Sequence, residues 1–450
     1  MLKIIVIKNQ YSIGILTQSD NNITFKYYDK IQEKNYLKGL DKAINFSSKL
    51  FPIFENLLPE NEQLDFLKHK YNIKNEIEVL LYLNNIHGSF EFYREDNYNE
   101  KEFIQEDIFI FNDKVEEILN QKYQFPNILE YSLDIPNDKL YPVEFNNSKI
   151  TRLSGFQYKF SVIFDEKNQT IKYDNSNKSE YIMKPYNKGY STFKPLNKES
   201  SYIPYLLINE HIFMSIARDF GFKVQYNAII KDNDDYHYII KRYDRFHGLK
   251  IDHHDILTLL NKHSTQKYKV LAVEAIKIAN EYLDKKELRE LFKFFIFATI
   301  ISHGDFHAKN ISLIYKTNSA NEKDIQLAPY YDISTVGIYK EIEDNDIGMQ
   351  ILNKNKKITL EDFIWLGSNF SISEDDIRKD IVALSTQFKD TFMSYIDLLP
   401  LSIKSLPSYK SIYKHFDSLD VLFKKYYDKR VLYIDKYLLK SKKNTTSIWD

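Results

Sequence analysis

The chain has 450 residues, 62 Lys and Arg against 63 Asp and Glu, a net charge of −1 and no cysteine, a length that allows two to three domains. The missing cysteines exclude disulfides, thiolate metal sites and a cysteine nucleophile, and the balanced charge gives no global basic surface for nucleic acid. At 43% hydrophobic and 28% charged it is globular, with no apolar run near the roughly 20 residues of a bilayer-spanning helix.

The opening stretch "MLKIIVIKNQYSIGILTQSD" alternates and breaks early, as a strand and turn do, and lacks a signal-peptide cleavage pattern. A cytoplasmic protein without membrane contact is therefore expected. Residues 1 to about 130 mix short strands ("KIIVIK", "ITFKYY", "SFEFYR") with the helical stretch "IFENLLPENEQLDFLKHKY", an α/β module. Residues 123–149 carry three prolines and several asparagines and read as a connector. From 150 to 245 the pattern is strand, strand, helix, strand. "EYIMKPY" is a short apolar strand bearing Lys184. "PYLLINEHIFMSIARDFG" has apolar residues at helical period with Gly221 as its stop, and "YHYIIKRYDRF" is a further strand. Beyond 255 the chain is mostly helical, interrupted by short strands near 311–315 and 325–328. The "IDHHDI" stretch (Asp252 to Asp255) reads as a loop and helix cap, because adjacent side chains rarely converge on one ion. A smaller mixed lobe followed by a larger helical one is an α+β, bilobal plan.

"HGDFHAKN", 303–310, crowds polar groups into a turn after the buried run "LFKFFIFATI". Asp305 and Asn310 are five positions apart, the spacing of a kinase catalytic loop. Phosphoryl transfer needs a carboxylate to orient the attacking hydroxyl and take its proton, and an oxygen ligand nearby for Mg²⁺. Asp305 suits the first task and Asn310 the second. Asp332, after the strand in "IQLAPYYDIST", offers another hard oxygen donor. Lys184 on its strand and Glu210 on the next helix match the lysine–glutamate pair that holds nucleotide phosphates. "IIKRYDRF", 239–246, then supplies the hinge, with Asp244 placed to reach a ribose hydroxyl. No GxGxxG is present. "RLSGFQYK" has one glycine, so a phosphate cover falls to Gln157, Lys159 or backbone amides.

Taken singly, each residue has an ordinary reading: Asp305 and Asp332 as turn residues, His303 and His307 as structural hydrogen-bonders, Lys184 and Glu210 as surface charge. The joint order of lysine strand, glutamate helix, D-x-x-x-x-N loop and later aspartate is far rarer by chance. A small-molecule phosphotransferase of the aminoglycoside or choline kinase type uses a similar H-G-D-x-x-x-x-N loop, and a non-catalytic, antitoxin-binding pseudokinase is a third reading.

The string "HGDFHAKNISLIY…LAPYYDIS" resembles the D-x-H-x-K-N loop and following tyrosine–aspartate of HipA-like serine/threonine kinases, toxins of bacterial type II toxin–antitoxin pairs. "SGFQYK" at 154–159 is similar to that family's G-x-Q-x-K stretch, "YIMKP" to its ATP-lysine strand, "INEH" to its asparagine–glutamate helix and "IIKRYDR" to its hinge. "LFPIFENLLPE" at 50–60 and "NNIHGSFEFY" at 84–93 resemble its N-terminal subdomain, so the likeness runs from about 1 to 430. The resemblance implies a protein-kinase-like fold in three parts: an N-terminal subdomain (1–130), a kinase N-lobe with the ATP lysine (131–245) and a helical C-lobe with the catalytic loop (246–450). It implies that Lys184 binds ATP phosphates and that Asp305 is the catalytic base. Asn310 and Asp332 would hold Mg²⁺, Lys241 and Tyr243 would offer hinge backbone to adenine, and His307 and Lys309 would support the loop. Implied partners are a helix-turn-helix, HipB-like antitoxin, through which alone DNA would be reached, and a protein substrate such as an aminoacyl-tRNA synthetase. Two positions depart from the pattern. Arg152 stands where the first serine of the autophosphorylation loop is usual, so either Ser154 is the acceptor or the Arg152 charge binds phosphate in its place, and Lys241 stands where the hinge is usually acidic.

Overall fold

The computed structural model describes residues 1–98, 123–140, 158–186, 205–315, 325–339, 345–405 and 417–440, apart from 21, 30, 32–34, 60, 84, 175, 177–178 and 247. Strands β1 (Leu2–Lys8) and β2 (Tyr11–Ser19) form an antiparallel hairpin. Its turn residues Asn9 and Gln10 both have positive φ (50° and 69°), which matches the twist of the flanking strands. Adding β3 (Asn22–Tyr27), β4 (Asn45–Ser47) and β5 (Phe90–Arg94) gives a sheet of order β4-β3-β2-β1-β5. Helices α1 (Pro52–Glu55), α2 (Asn61–Lys70) and α3 (Glu76–Val79) accompany it. Phe54 of α1 sits at the centre of this core, its ring 5.4–6.1 Å from those of Phe25, Phe90 and Phe92.

The second sheet is more unusual. Strands β6 (Ile128–Leu129), β7 (Ser132–Asp134), β8 (Phe160–Asp165), β9 (Thr170–Tyr173), β10 (Tyr181–Lys184), β11 (Asn227–Asp232) and β12 (Asp235–Lys241) take the order β6-β11-β12-β10-β8-β9-β7. The two edge strands are separated by only Glu130 and Tyr131. A flat sheet would put its edges about 29 Å apart, whereas three peptide steps span at most about 10 Å. The sheet must therefore curl until its edges nearly meet, around Val162, Ile171, Met183, Ala228, Ile230 and Ile239. The segment expected to be a connector is thus corrected. Its residues 128–134 pair in parallel with β11 on one side and β9 on the other, a role that strands of two and three residues do not advertise.

After the short helix α4 (Asn137–Leu140) comes α5 (Leu206–Asp219), which packs on β11 and β12. It ends in a Schellman motif: Gly221 (φ 91°) donates to Arg218 O at 2.9 Å and Phe222 to Ala217 O at 3.0 Å. A small hairpin, β13 (Arg245–Phe246) and β14 (Leu249–Lys250), leads into the helical lobe. There, β15 (His253–Asp255), β16 (Ser312–Tyr315) and β17 (Ile325–Leu327) form a small antiparallel sheet. "IDHHDI" is therefore a strand rather than a loop, although Asp255 does cap α6 (Ile256–Leu259) by accepting from Thr258 N. Helices α7 (Ala272–Asn280), α8 (Lys285–Ile300), α9 (Leu360–Ser368), α10 (Glu374–Leu398), α11 (Leu401–Lys404) and α12 (Leu419–Tyr433) complete the lobe. The α8 helix is buried on every side from Phe294 to Ile300 and forms its axis. The α+β, bilobal plan is present, with the first sheet as an additional unit. No helix among the described residues is long and apolar enough to cross a membrane.

The N-terminal unit is joined to the rest by buried polar contacts. Lys8 pairs with Asp252 at 2.8 Å, and Ser89 Oγ donates to Asp252 at 3.0 Å. Arg242 and Arg245 reach the Asn85 and Ile86 carbonyls and the Asn85 side chain. These contacts fix one wall of the cleft described next.

Candidate active site

Lys184 ends β10, flanked by β8 and β12, and is only 5% exposed. A lysine buried there needs a counter-charge. Glu210 on α5 supplies it, accepting from Nζ at 2.8 and 2.7 Å, and Asp332 from the other lobe accepts from the same Nζ at 2.6 Å. Burial alone would lower the Lys184 pKa, but Asp332 and Glu210 outweigh it and raise it. Burial pushes Glu210 up to about 7 against the pull of Lys184, with Asp332 adding to the rise. The Asp332 carboxyl, raised by burial but more strongly lowered by Lys184 and Lys159, lies well below the usual range.

The polar turn after α8 is itself a helix stop. Ser302 takes a left-handed backbone (φ 55°) at the position glycine usually fills, and His303 N donates to Ala298 O at 2.8 Å. Carbonyls at such an end lack helical partners. Arg430 of α12 donates to Ile300 O at 3.0 Å and Thr299 O at 2.5 Å while pairing with Asp346 at 2.8 Å, and Tyr426 Oη donates to Ile301 O at 2.7 Å. Gly304 is required next, since a Cβ there would lie 2.5 Å from Val336 Cγ2. His303 is buried under the loop, its pKa lowered to about 4 by that burial, and it stacks on Phe306. It is a structural, neutral imidazole.

Asp305 then emerges partly exposed, accepting at Oδ1 from Tyr268 Oη at 2.5 Å. Ala308–Asn310 make a 3₁₀ turn in which the Asn310 side-chain oxygen accepts from His307 N at 2.9 Å. Tyr331 Oη donates to Lys309 O at 2.5 Å, tying this loop to the residue before Asp332. Asp332 has φ 54°, a left-handed backbone that asparagine and aspartate tolerate best among residues with a side chain beyond Cβ. Asn209, next to Glu210 on α5, donates to Thr335 O at 2.8 Å and accepts from Thr335 N at 3.1 Å. One helix thus holds Lys184 with one residue and the Asp332 segment with the preceding one.

The other expected site residues divide. Lys159 lies in the cleft, its charge acting on both Asp332 and Glu210. Gln157, Ser154 and Arg152 lie outside the described residues. Tyr243 lines the cleft and packs on Tyr331 and His253. Lys241 needs a partial correction: it lines the cleft, but of the backbone expected to meet adenine its N–H is already donated to Tyr226 O at 2.8 Å. Asp244 needs another. Its carboxylate accepts from Arg242 at both oxygens (2.8 and 2.7 Å), from Arg245 at 3.0 Å and from Gly88 N at 2.8 Å. Burial raises its pKa, the two arginines lower it further than that, and the net value is far below the usual range. It is a structural clamp between hinge and N-terminal unit, not a ribose ligand. Two cleft-region residues gave no sequence signal. Tyr268 lies 37 positions from Asp305. Gln225 is 3% exposed, lines the cleft, and its side-chain oxygen has no hydrogen-bond partner among the described residues.

Lys184, Glu210, Asp305, Asn310 and Asp332 line one cleft of about 480 Å³, bounded by the curled sheet, the helical lobe and the N-terminal unit. Among the described residues no set of three or more His, Cys, Asp and Glu side chains could hold a metal alone. Asp332 and the Asn310 amide oxygen, with Asp305 nearby, nevertheless fit Mg²⁺, which takes one or two carboxylates and leaves its other positions to water and phosphate oxygens.

A curled, mostly antiparallel sheet whose lysine pairs with a glutamate on the adjoining helix, set over a helical lobe that presents an Asp–Asn loop and a further aspartate, defines a protein-kinase-like bilobal fold. Residues 151–392 match the family model described as the HipA-like C-terminal domain, more than half of the chain, and the protein belongs to that HipA-like family. A protein of Haemophilus influenzae named "Putative kinase" is 25% identical over 269 residues, 53% of this chain and 72% of that relative. The HipA structure from the Shewanella oneidensis MR-1 toxin–antitoxin system, solved with HipB and operator DNA, is 16% identical. It superposes with a TM-score of 0.69 over 96% of this chain and 97% of its own, which shows the same fold.

Proposed function

We propose that the protein is an ATP-dependent serine/threonine protein kinase acting as the toxin of a toxin–antitoxin pair. The observation that carries the reading is Lys184 held between Glu210 and Asp332 in the cleft that also presents Asp305 and Asn310. A scaffold has no physical need for that set. In the proposed reaction Lys184, freed from Asp332, contacts the nucleotide phosphates while Glu210 keeps its position. Asp305 accepts the proton of the acceptor hydroxyl as the new O–P bond forms and the bond to the ADP leaving oxygen breaks. Asn310 and Asp332 would hold Mg²⁺, which would neutralise phosphate charge when bound. Lys159 and Lys309 add positive charge to the cleft, His307 supports the loop, and Tyr243 with Gln225 lines the base pocket.

The division into an N-terminal subdomain (1–130), N-lobe (131–245) and C-lobe (246–450) belongs to the same reading. So do a cytoplasmic location, an aminoacyl-tRNA synthetase or other translation protein as substrate, and autophosphorylation on Ser154. The partner would be a helix-turn-helix antitoxin, with DNA reached only through it. That rests on family membership, together with the relative solved in complex with HipB and operator DNA.

The test is intact-mass and peptide analysis of the purified chain incubated with Mg-ATP, beside Asp305→Asn. Phosphate on the wild-type chain, or on lysate proteins labelled by it, and absent with the variant supports the kinase. Equal incorporation by both chains, or no ATP binding by the wild type, overturns it.

A further inference from the structure

The carboxylate proposed as base is not presented to the cleft by its own loop alone. Tyr268 Oη donates to Asp305 Oδ1 at 2.5 Å, the length of a charge-assisted O–H···O⁻ bond. The Tyr268 ring also stands edge-on to His307, centroids 5.0 Å apart, and Ala308 N donates to the carbonyl of the neighbouring Lys267 at 3.4 Å. Lys267 and Tyr268 are therefore tied to the catalytic loop at Asp305, His307 and Ala308.

That segment is in turn fastened to the N-terminal unit. Glu55, at the end of α1, accepts from Ser264 Oγ at 2.8 Å and pairs with His263 Nδ1. Asn56 donates to Thr258 Oγ1 at 3.1 Å and Lys262 O at 3.0 Å, and its own carbonyl accepts from Lys309 Nζ at 3.3 Å. Two consecutive residues of the N-terminal unit thus grip both the segment carrying Tyr268 and the loop carrying Asp305. Sequence separations above 200 residues make this a tertiary device that no local pattern requires.

We propose that Tyr268 is a positioning residue for Asp305, held in place by the Glu55–Asn56 corner, so that the N-terminal unit takes part in phosphoryl transfer. The inference rests on the reading of Asp305 as base. A hydroxyl donating to one carboxylate oxygen fixes the carboxylate's rotation and favours its ionised form, the form that accepts the acceptor's proton. Tyr268 itself is not consumed. The acceptor proton passes to Asp305, the acceptor oxygen bonds to phosphorus, and ADP departs.

The experiment compares the full-length wild type with Tyr268→Phe, Glu55→Ala, their double variant and Asp305→Asn, using Mg-ATP and dephosphorylated casein as acceptor from pH 5 to 9. Tyr268→Phe keeps the ring on His307 and removes only the hydroxyl. Its kcat should fall about tenfold, the KM for ATP should stay within about twofold, and the acid limb of the profile should move to higher pH, because the carboxylate has lost a bond that favours ionisation. Glu55→Ala should move kcat and the limb the same way, with little further loss in the double variant. An unchanged kcat and acid limb in Tyr268→Phe overturns the positioning role alone. A faster Tyr268→Phe overturns it in another way, showing that the tyrosine occupies the acceptor's place on Asp305. A wild type that, like Asp305→Asn, labels neither casein nor lysate proteins and binds no ATP overturns the kinase reading and this inference with it.

Discussion

Lys8 and Asp252 lie 2.8 Å apart with both side chains 3% exposed, so an ion pair is sealed between the first strand of the chain and the entrance to the helical lobe. Removing one partner strands a buried charge, a loss of about 3–5 kcal/mol. Lys8→Met should lower the thermal midpoint markedly, and adding Asp252→Asn should restore part of it. Equal stability of the wild type and Lys8→Met, measured by chemical denaturation, would show that the pair does not hold the units together.

The same carboxylates set an acid limit. Burial raises Asp252 and Asp244, but Lys8 and His254 for the first and Arg242 and Arg245 for the second more than offset this, leaving both pKa values lowered. A lowered carboxylate contributes stability that is complete above its unfolded pKa of about 3.9 and is lost as pH falls through the folded value. The thermal midpoint should therefore drop steeply below about pH 4. Glu210, raised to about 7, works oppositely: it costs stability as pH rises from its unfolded value of about 4.3 towards 7. Glu210→Gln should flatten that part of the curve, and an unchanged slope in calorimetric scans would contradict the assignment.

Arg430 lies far along the chain from the polar turn yet supplies its missing donors. Arg430→Met should cost about 3–5 kcal/mol by leaving Asp346 and two carbonyls without their partner. Phosphoryl transfer should fall as well, by about 10²-fold if the turn shifts by an ångström. Denaturant unfolding and initial rates measured on one preparation separate the two effects.

At the cleft wall Gln225 carries a buried acceptor, unpartnered among the described residues, which the proposed function assigns to the nucleotide base. Gln225→Leu removes that acceptor at similar volume, so the KM for ATP should rise about tenfold while kcat holds, the signature of lost ground-state binding. Isothermal titration with an unreactive ATP analogue gives the affinity directly. No change there would leave the residue without a role in base recognition.

The polar loop of the candidate site was legible because its spacing is short: Asp305 and Asn310 stand five positions apart and both line the cleft. Lys184 was legible because a lysine inside an apolar strand needs a partner, and α5 follows. What stayed hidden depends on distant neighbours. Strands as short as β6 and β7 carry no period, and their places at both edges of one sheet follow from pairing alone. Tyr268 and Arg430 act on groups 37 and about 130 positions away. Asp244 was misread although its correction was adjacent, since the two arginines of "RYDR" already contained enough charge to occupy it.

The left-handed backbone of Asp332 governs which sequence changes at this position are informative. Alanine would remove the carboxylate and also place a residue poorly suited to φ 54° in a turn pinned by Tyr331 and Asn209, so its effect would mix chemistry with strain. Asparagine keeps the shape and the tolerance for that conformation while deleting the charge. Substitution by β-branched residues would distort the turn as well as empty it. Inactive descendants of such a chain that retained the fold would be expected to carry asparagine or glycine here.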